Sequence, residues 1–355
     1  MKKFCIGIDI SKKTFDATAI FVRDIESMEN LGYEQFSNTP AGFRKLAAWT
    51  KKLGKQRKER IDDALFCMET TGGYDRQLCS YLYDHGLHVW RESALQIHRS
   101  LGFRRGKSDK ADSLCIAEYA GKNQSKCQEY KPSPESVAEL KELVNYRNSL
   151  VERRKQCKTR MSEKDYTTAD KKSSTYKFMC KSAKKEKDIL DKLIKECEKQ
   201  IEKVIKSDEQ MSRHYQHITS IKGIGLVNAA AIIAFSEDFQ KIRTANKMFC
   251  YAGGAVFYLD SGTSIHKRDP NKNVCCKMLG TYLRMAAKSA IKNNPDIKQY
   301  SDCLQAKGKR YGIVIKNVTS KLLHIIYSLI KNDCDYEQGH ESKRIKERAA
   351  KPNVA

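Results

Sequence analysis

The chain is poor in proline, and glycine is missing from its middle. It contains 6 prolines in 355 residues, and no glycine lies between Gly121 and Gly223. No uninterrupted apolar run approaches the ~18–20 residues that a membrane-spanning helix needs. We also expect no signal peptide, because Met1-Lys2-Lys3 leads directly into an apolar strand. These absences argue against a membrane protein and predict a cytoplasmic one.

Cysteine patterns that would bind zinc are also missing. The 13 cysteines are an odd number and form no CxxC pair, as expected in a reducing compartment. The 8 histidines show no ligand spacing with them. A structural zinc site is therefore not expected.

Acidic residues are scarce relative to basic ones. The chain has 43 Asp and Glu against 67 Lys and Arg, for a formal net charge of +24. The basic residues recur along most of the chain and do not form an extended tail. This balance predicts a polyanionic partner, and nucleic acid is favoured over a membrane surface.

The first third of the chain predicts a mixed α/β domain. Alternating apolar residues predict strands at 4–10 and 14–22, and a weaker strand at 31–37. Further elements are a helix from Thr39-Pro40, a strand at 64–69, a helix ending at Gly86, a strand at 87–90 and a helix at about 109–120. Three strands followed by alternating helices and strands is the order of a ribonuclease-H-like or RuvC-like fold, which we assign to residues 1–125.

Residues 133–217 predict a long helical arm. Apolar residues recur there at helical spacing on both sides of a Lys/Ser/Thr-rich stretch at about 163–176. Two long helices in an antiparallel hairpin or coiled coil fit this pattern. A solvated charged spacer fits it equally well, as does an arm that dimerises or grips backbone phosphates.

Residues 218–333 predict a mainly helical C-terminal domain. Helices are expected at 244–252, 274–293 and 311–331, with a loop-rich segment between the first two. The turn Gly223-Ile224-Gly225 resembles a helix-hairpin-helix turn whose amides approach a DNA phosphate, although close packing explains it as well. The polar composition of residues 334–355 predicts a disordered tail.

Four acidic residues carry the strongest chemical signal. Asp9 and Glu69 each end an apolar, strand-like run, and Asp109 and Asp112 are three apart, so they share one face of a helix. Each alone is explained by a turn or a helix cap. Together they predict an oxygen-rich site that suits Mg²⁺, with Mn²⁺ as a substitute, rather than zinc. Two-metal sites of this type perform in-line displacement at phosphorus.

A serine in the last third forms a second candidate site. Ser261 precedes Gly262 and is followed closely by His266, Lys267 and Arg268. An exposed hydroxyl beside basic residues could attack a phosphate, but an ordinary turn is favoured by spacing alone. A serine nucleophile also needs a base or a metal ion to activate it.

Several segments together resemble a known family, the DEDD-type insertion-sequence transposases. These are a bridge-RNA-guided serine recombinase family, to which Piv-type DNA invertases are related. The matching segments are GIDISKKTFDATAI, METTGGYD, KSDKADSLCIAEYA, GIGLVNAAAIIAF, YAGG, DSGTSI and KGKRYGIVIKNVTSKLL. The family's usual threonine is Ser108 here, and the proline expected before the serine motif is missing from Tyr251–Val256.

The resemblance implies a RuvC-like domain, a coiled coil and a C-terminal transposase domain. It implies that the four carboxylates bind Mg²⁺ and that Ser261, with Ser264 as the weaker alternative, forms a serine–phosphodiester intermediate. It also implies a structured noncoding guide RNA, donor and target DNA, and dimers that assemble into tetramers. Candidate nucleic-acid contacts are Gly223, Gly225, His266, Lys267, Arg268, Arg104, Arg105 and Lys107.

Three other functions stay open at this point. A protein-directed DNA invertase would need no RNA, and a metal-only RuvC-like junction nuclease would leave Ser261 structural. A binding protein with a decayed site is disfavoured by the complete carboxylate set. The chain contains no base-reading helix-turn-helix, zinc finger or basic zipper, which fits delegation of specificity to a guide RNA in a nucleoid-associated prokaryotic enzyme.

Overall fold

The chain forms two compact units, Met1–Pro132 and Ser133–Ala355. The structure, a computed structural model, describes residues 2–24, 27–70, 72–100, 108–167, 172–261, 265–270 and 275–339. For residues 164–167, 258–261 and 265–270 it describes the backbone alone.

The first unit is built on a mixed five-stranded sheet. Its strands are β1 (Phe4–Ile10), β2 (Thr14–Val22), β3 (Met28–Ser37), β4 (Leu65–Glu69) and β5 (His88–Glu92). Their order across the sheet is β3-β2-β1-β4-β5. The pairs β1–β2 and β2–β3 are antiparallel, whereas β1–β4 and β4–β5 are parallel. Along the chain, three strands are followed by alternating helices and strands, as predicted, and the mixed α/β N-terminal domain is confirmed.

Helices cover both faces of this sheet. They are α1 (Pro40–Gln56), α2 (Arg76–Asp84), α3 (Ala94–Ser100) and α4 (Asp109–Lys122). Ile6 and Ile8 share a buried cluster with Phe43 of α1 and Leu78 of α2. Cys5 and Cys67, which point to the opposite face, share another cluster with α3 and α4. Burial on both sides explains why β1 and β4 are almost continuously apolar.

Two features of the first unit differ from the predictions. Strand β3 begins at Met28, three residues earlier than expected, because an irregularity between Ala19 and Ile20 lets its pairing with β2 continue. Helix α3 was not predicted at all. It is seven residues long, with Ile97 as its buried residue, so it carries too little periodicity to be recognised.

The second unit is mainly helical. Its helices are α5 (Glu135–Thr167), α6 (Ser174–Ser207), α7 (Glu209–Thr219), α8 (Leu226–Ser236), α9 (Ala245–Tyr251), α10 (Lys277–Asn293), α11 (Pro295–Ala306) and α12 (Tyr311–Asn332). A β-hairpin of β6 (Val256–Ser261) and β7 (Ile265–Pro270) replaces most of the predicted loop. Val256 to Leu259 are apolar or aromatic residues of high strand propensity, and the polar strand β7 pairs with them through its backbone.

Helices α5 and α6 pack against each other in opposite directions. Arg147 bridges to Glu198 at 2.6 Å, and Arg154 bridges to Asp191 at 2.7 Å. The antiparallel helix pair expected in the arm is therefore present. Leu140 of α5 and Ile201 of α6 also belong to the core that α8 and α12 share. The boundary at residue 217 and the coiled-coil character of the arm stay predictions.

Helix α12 has the length and average apolarity of a helix that could cross a membrane. It has 22 residues, close to the predicted 311–331. Lys316, Lys321 and His324 interrupt it, so it contains no uninterrupted apolar run of that length. Val318, Leu322 and Ile326 of α12 are buried in the core of the second unit, as in the core helix of a globular domain.

The predicted disordered tail begins with an ordered segment. The Tyr336 hydroxyl donates to Asp296 at 2.7 Å, and the backbone amide of Gly339 donates to the same carboxylate at 2.8 Å. The backbone amide of Tyr336 also donates to the Ser220 hydroxyl at 2.8 Å. Residues 334–339 are thus held against the second unit, and residues 340–355 lie outside the described part of the chain.

Candidate active site

Two parallel strands bring Asp9 and Glu69 to one edge of the sheet. Ile8 of β1 lies opposite Met68 of β4, so the next residue of each strand emerges at the same edge. Both acidic residues follow the alternation that places Cys5 and Cys67 on the face covered by α4. The strand pairing therefore accounts for half of the predicted carboxylate set.

Helix α4 supplies the other half at its first turn. The Ser108 hydroxyl caps this helix by accepting a hydrogen bond from the Ala111 amide at 3.2 Å. Asp109 and Asp112 lie in the first turn, where the helix dipole favours negative charge. Their spacing of three places both on one face, so one helix end presents two carboxylates.

A glycine allows this helix end to reach β1. A Cβ atom on Gly7 would lie 2.1 Å from the Ala117 nitrogen and 2.2 Å from the Ser113 carbonyl oxygen. Any other residue at position 7 would therefore push α4 away. The Ser113 hydroxyl also shares a buried hydrogen bond of 2.7 Å with Thr18 on β2. These two contacts fix the start of α4 beside Asp9.

Three of the four predicted carboxylates form a tight group. Asp9, Asp109 and Asp112 each place one carboxylate oxygen within 4.8 Å of the others. Burial, followed by the charges of Asp112, Glu69, Asp109 and Asp16, raises the pKa of Asp9 to about 6. Glu69 thus lies close enough to act electrostatically on Asp9, although it is outside the tight group of three.

Glu69 has a neighbour that the sequence analysis did not identify. His98 of α3 places Nε2 3.9 Å from the Glu69 carboxylate, and its side chain is exposed. On the next strand, Glu92 lies opposite Glu69 and accepts a hydrogen bond of 3.2 Å from the Tyr119 hydroxyl. Nothing in the sequence pattern separates His98 from an ordinary surface histidine, because its role depends on where α3 packs.

The carboxylate group fits a divalent cation. Its donors are all oxygen atoms, they converge from β1 and α4 with Glu69 of β4 nearby, and Asp9 is half-buried among like charges. Like charges at this separation repel each other unless a cation lies between them. Hard cations such as Mg²⁺, Mn²⁺ and Ca²⁺ prefer such ligands.

The predicted serine lies in the other unit. Ser261 is the last residue of β6 and pairs with Ile265 across the hairpin. His266, Lys267 and Arg268 follow on β7, opposite residues 258–260. Ser264 lies outside the described residues, as do Arg104, Arg105 and Lys107.

The two glycines of the predicted phosphate-binding turn have different surroundings. Gly223 has φ +102°, and a Cβ atom there would lie 2.7 Å from the Ala290 Cα atom of α10. Packing therefore requires a glycine at this position whether or not nucleic acid binds. Gly225 is the N-cap of α8, with open space around its Cα atom, so it stays a candidate contact.

Asp16 is a buried carboxylate that the sequence analysis missed. It lies on β2 directly opposite Asp9 and is 5% exposed. A charged residue inside the apolar run FDATAIFV was the available signal. The three residues between β1 and β2 also fix the register that places Asp16 opposite Asp9.

Two transposase family models match the chain. One, described as "Transposase" of the DEDD-type IS110 group, matches residues 6–164. The other, "Transposase IS116/IS110/IS902 family", matches residues 215–302. Together they cover well over half of the chain, including all four predicted carboxylates and Ser261.

Two named relatives match nearly the whole length of this chain, and a third matches part of it. The "Pilin gene-inverting protein" of Moraxella bovis is 26% identical over 95% of this chain and 99% of its own length. The protein of the same name in Moraxella lacunata matches to the same extent. An uncharacterized IS110 protein of Streptomyces coelicolor is 24% identical over 34% of this chain and 29% of its own.

Solved structures of RuvC from Thermus thermophilus are similar at a low level. The protein alone and its complex with a Holliday junction substrate give TM-scores of 0.28 and 0.27 at 12% identity. Each match covers 36% of this chain and 99% of RuvC. The two family models and the relatives decide the assignment: this chain belongs to the IS110 family of DEDD-type transposases, which are DNA-processing enzymes.

Proposed function

We propose that this chain is a Mg²⁺-dependent recombinase of an insertion sequence that cuts and rejoins DNA through a covalent serine intermediate. The observation that carries this proposal is the convergence of Asp9, Asp109 and Asp112, with Glu69 beside them. Such a group is suited to chemistry at a phosphate, which the family's DNA-processing activity requires.

In this proposal the four carboxylates hold the cation, and Asp9 is the central ligand. A bound Mg²⁺ would favour ionisation of the attacking hydroxyl and stabilise negative charge on the phosphate. The close approach of α4 at Gly7 holds Asp109 and Asp112 in place before DNA arrives. Preorganised carboxylates need little rearrangement during the reaction.

Ser261 is the proposed nucleophile, with Ser264 as the alternative. A bond forms between the serine Oγ atom and phosphorus while a bond between phosphorus and a sugar oxygen breaks. The serine proton passes to a base, and the released sugar oxygen takes up a proton to become a free hydroxyl. A hydroxyl from another strand reverses the step, so rejoining needs no ATP.

The nucleophile is tested by trapping the covalent adduct. Cells carrying the complete element would express the wild type, Ser261→Ala or Ser264→Ala, and DNA bound after denaturation would be recovered with the protein. We expect adducts and recombinant junctions with the wild type and Ser264→Ala, and neither with Ser261→Ala. Recombination by Ser261→Ala would contradict the assignment. Metal-dependent hydrolysed ends without an adduct would identify a metal-only nuclease.

A structured noncoding RNA is the proposed source of sequence specificity. The net charge of +24 supplies affinity for nucleic-acid backbones but carries no sequence information. Purification from cells carrying the whole element, followed by sequencing of bound RNA, tests this. A single structured RNA from the element's noncoding end is expected. Heterogeneous RNA, or none, would contradict guidance.

A protein-directed DNA invertase is the second candidate function. It is favoured by the two Moraxella relatives, whose names describe gene inversion and which match 95% of this chain. A recombination assay with protein freed of RNA separates the two functions. A protein-directed invertase would still recombine DNA, whereas an RNA-guided recombinase would not. The carboxylate and serine chemistry is the same in both.

We propose backbone contacts to DNA or RNA from Gly225 and from the basic residues of β7, and a homodimer that assembles into a tetramer on DNA in the prokaryotic nucleoid. Light scattering with and without nucleic acid tests the assembly. A protein that stays monomeric on its DNA would contradict it.

A further inference from the structure

Asp16 is a charged residue in a position that normally excludes charge. It lies on β2 with 5% of its surface exposed, and its strand neighbours Phe15 and Ala17 are fully buried. It also pairs directly with Asp9 across the antiparallel strands. Directly opposed like charges destabilise a sheet, so the pair calls for a compensating positive charge.

The hydrogen bonds of Asp16 do not provide that compensation. The Tyr33 hydroxyl donates to one carboxylate oxygen, and Gln35 Nε2 lies 3.2 and 3.3 Å from the two oxygens. Both donors are neutral side chains from β3. They fix the orientation of the carboxylate and leave its negative charge in place.

A contact from α4 links this group to the carboxylate site. The Lys110 ammonium group lies 5.3 Å from the centre of the Tyr33 ring. Lys110 stands in the first turn of α4, directly after Asp109. The hydrogen-bonded group on β2 and β3 therefore touches the same helix turn that presents two of the four carboxylates.

We propose that Asp16 is a positioning residue of the carboxylate site, which strengthens divalent-cation binding at Asp9 through its buried charge without ligating the ion. This inference rests on the proposed function of the site. Its partners are Gln35, which lies opposite Asp16 on β3, and Tyr33. A purely structural Asp16 would instead lock β2 to β3 and have no effect on cation affinity.

Three substitutions that each raise the net charge by one separate these roles. Asp16→Asn removes the buried charge and keeps the size of the side chain. Gln35→Lys leaves Asp16 in place and neutralises it from an exposed position on the next strand. Glu34→Gln is the matched control, because Glu34 is exposed and lies opposite Ala17.

The measurement is Mn²⁺ affinity of the full-length protein by titration calorimetry, with thermal unfolding in EDTA to check folding. We expect Asp16→Asn and Gln35→Lys to weaken Mn²⁺ binding on the order of tenfold, since the first removes the buried negative charge beside Asp9 and the second offsets it with a positive one. Glu34→Gln should bind as the wild type does. Gln35→Lys keeps the test valid if Asp16→Asn does not fold.

The outcomes separate this inference from the proposed function. Wild-type affinity in a folded Asp16→Asn or Gln35→Lys protein would overturn the role of Asp16 and leave the metal site intact. Equal Mn²⁺ binding by the wild type and Asp9→Asn would instead show that the carboxylates are not the metal site. That result would contradict the proposed function itself, and not only the role of Asp16.

Discussion

At the scale of single residues, Asp9 is placed where its charge is costly. Burial and four neighbouring carboxylates raise its pKa from 3.8 to about 6. A group whose pKa is raised by folding contributes stability at low pH, and this contribution is lost as the pH rises through the folded pKa. Without a cation, ionised Asp9 therefore destabilises the first unit above about pH 6.

Asp9→Asn should stabilise the metal-free protein at pH 7.5 while removing its response to metal. The gain is on the order of 1 kcal/mol, because half-exposure reduces the effect of the pKa shift. Thermal unfolding in EDTA and in excess Mg²⁺ measures both effects. Glu34→Gln is the control and should retain the Mg²⁺ response. A less stable Asp9→Asn protein would contradict this account of the site.

The carboxylates could be predicted from sequence because each has a local signal. Asp9 and Glu69 end apolar runs, and Asp109 and Asp112 have the spacing of one helix face. For Asp16 the sequence offers only a charge inside an apolar run, because its position beside Asp9 depends on strand pairing. Residues of the site can thus be predicted when a local sequence pattern marks them. They are harder to predict when the pairing of distant strands decides their position.

At the scale of elements, the position of α4 depends on one glycine in β1. Gly7→Ala would place a methyl group against the α4 backbone, 2.1 Å from the Ala117 nitrogen. Backbone cannot move aside as a flexible side chain does, so α4 must shift away from the sheet. The first turn of α4, which carries Asp109 and Asp112, would move with it.

Gly7→Ala should therefore lower stability and weaken Mn²⁺ binding together. The cost is roughly 1–3 kcal/mol, as for other overpacked interiors, and thermal unfolding and titration calorimetry measure the two effects. Gly312→Ala is the control. It makes the same substitution near the start of α12, where an added Cβ atom would meet open space, and it should leave Mn²⁺ affinity unchanged. Normal Mn²⁺ binding by Gly7→Ala would show that α4 is not held by this contact.

The C-terminal segment is held by a histidine between two carboxylates. His217 Nδ1 lies 2.7 Å from Asp335, and Nε2 lies 3.1 Å from Asp333. Both ring nitrogens must donate, so the imidazole is protonated in this arrangement. Burial opposes the charge, but the hydrogen bonds and charges of the two aspartates outweigh it and raise the pKa of His217 above its ordinary 6.5.

Raising the pH should release this segment. The stabilisation is complete below pH 6.5 and is lost as the pH rises through the higher pKa of folded His217. The protection of residues 334–339 against hydrogen exchange, relative to the intrinsic rate at each pH, should fall over that range in the wild type. In His217→Gln this protection should be low at all pH values, whereas His324→Gln, the control at an exposed histidine, should behave as the wild type. Protection independent of pH in the wild type would contradict the ion-pair account.

Elements with strong periodicity were predicted well, and short or polar ones were not. Strands β1 and β2 have the predicted bounds, because hydrophobic alternation is continuous there. The hairpin of β6 and β7 was interpreted as loop, since charged residues interrupt any alternation in HKRDP. Helix α11 was missed although Asn294 and Pro295 form a helix start signal.

At the scale of the whole molecule, the two units have separate cores. The buried clusters of the first unit draw only on residues up to Cys127 and Tyr130, whereas the cluster of the second begins at Val137. Units with their own cores can unfold separately. Proline occurs at 132 and 134, where the predicted helical pattern begins.

Calorimetry should therefore resolve two unfolding transitions in the full-length protein, each controlled by a different chemistry. Mg²⁺ should raise the midpoint of one transition, because ligand binding stabilises only the unit that holds the ligand. A rise in pH above 6.5 should lower the midpoint of the other, through loss of the His217 ion pairs. Asp9→Asn should abolish the first response and leave the second, and His217→Gln should do the reverse. A single transition that responds to both Mg²⁺ and pH would mean that the carboxylate site and the C-terminal segment unfold together. That result would contradict independent unfolding of the two units.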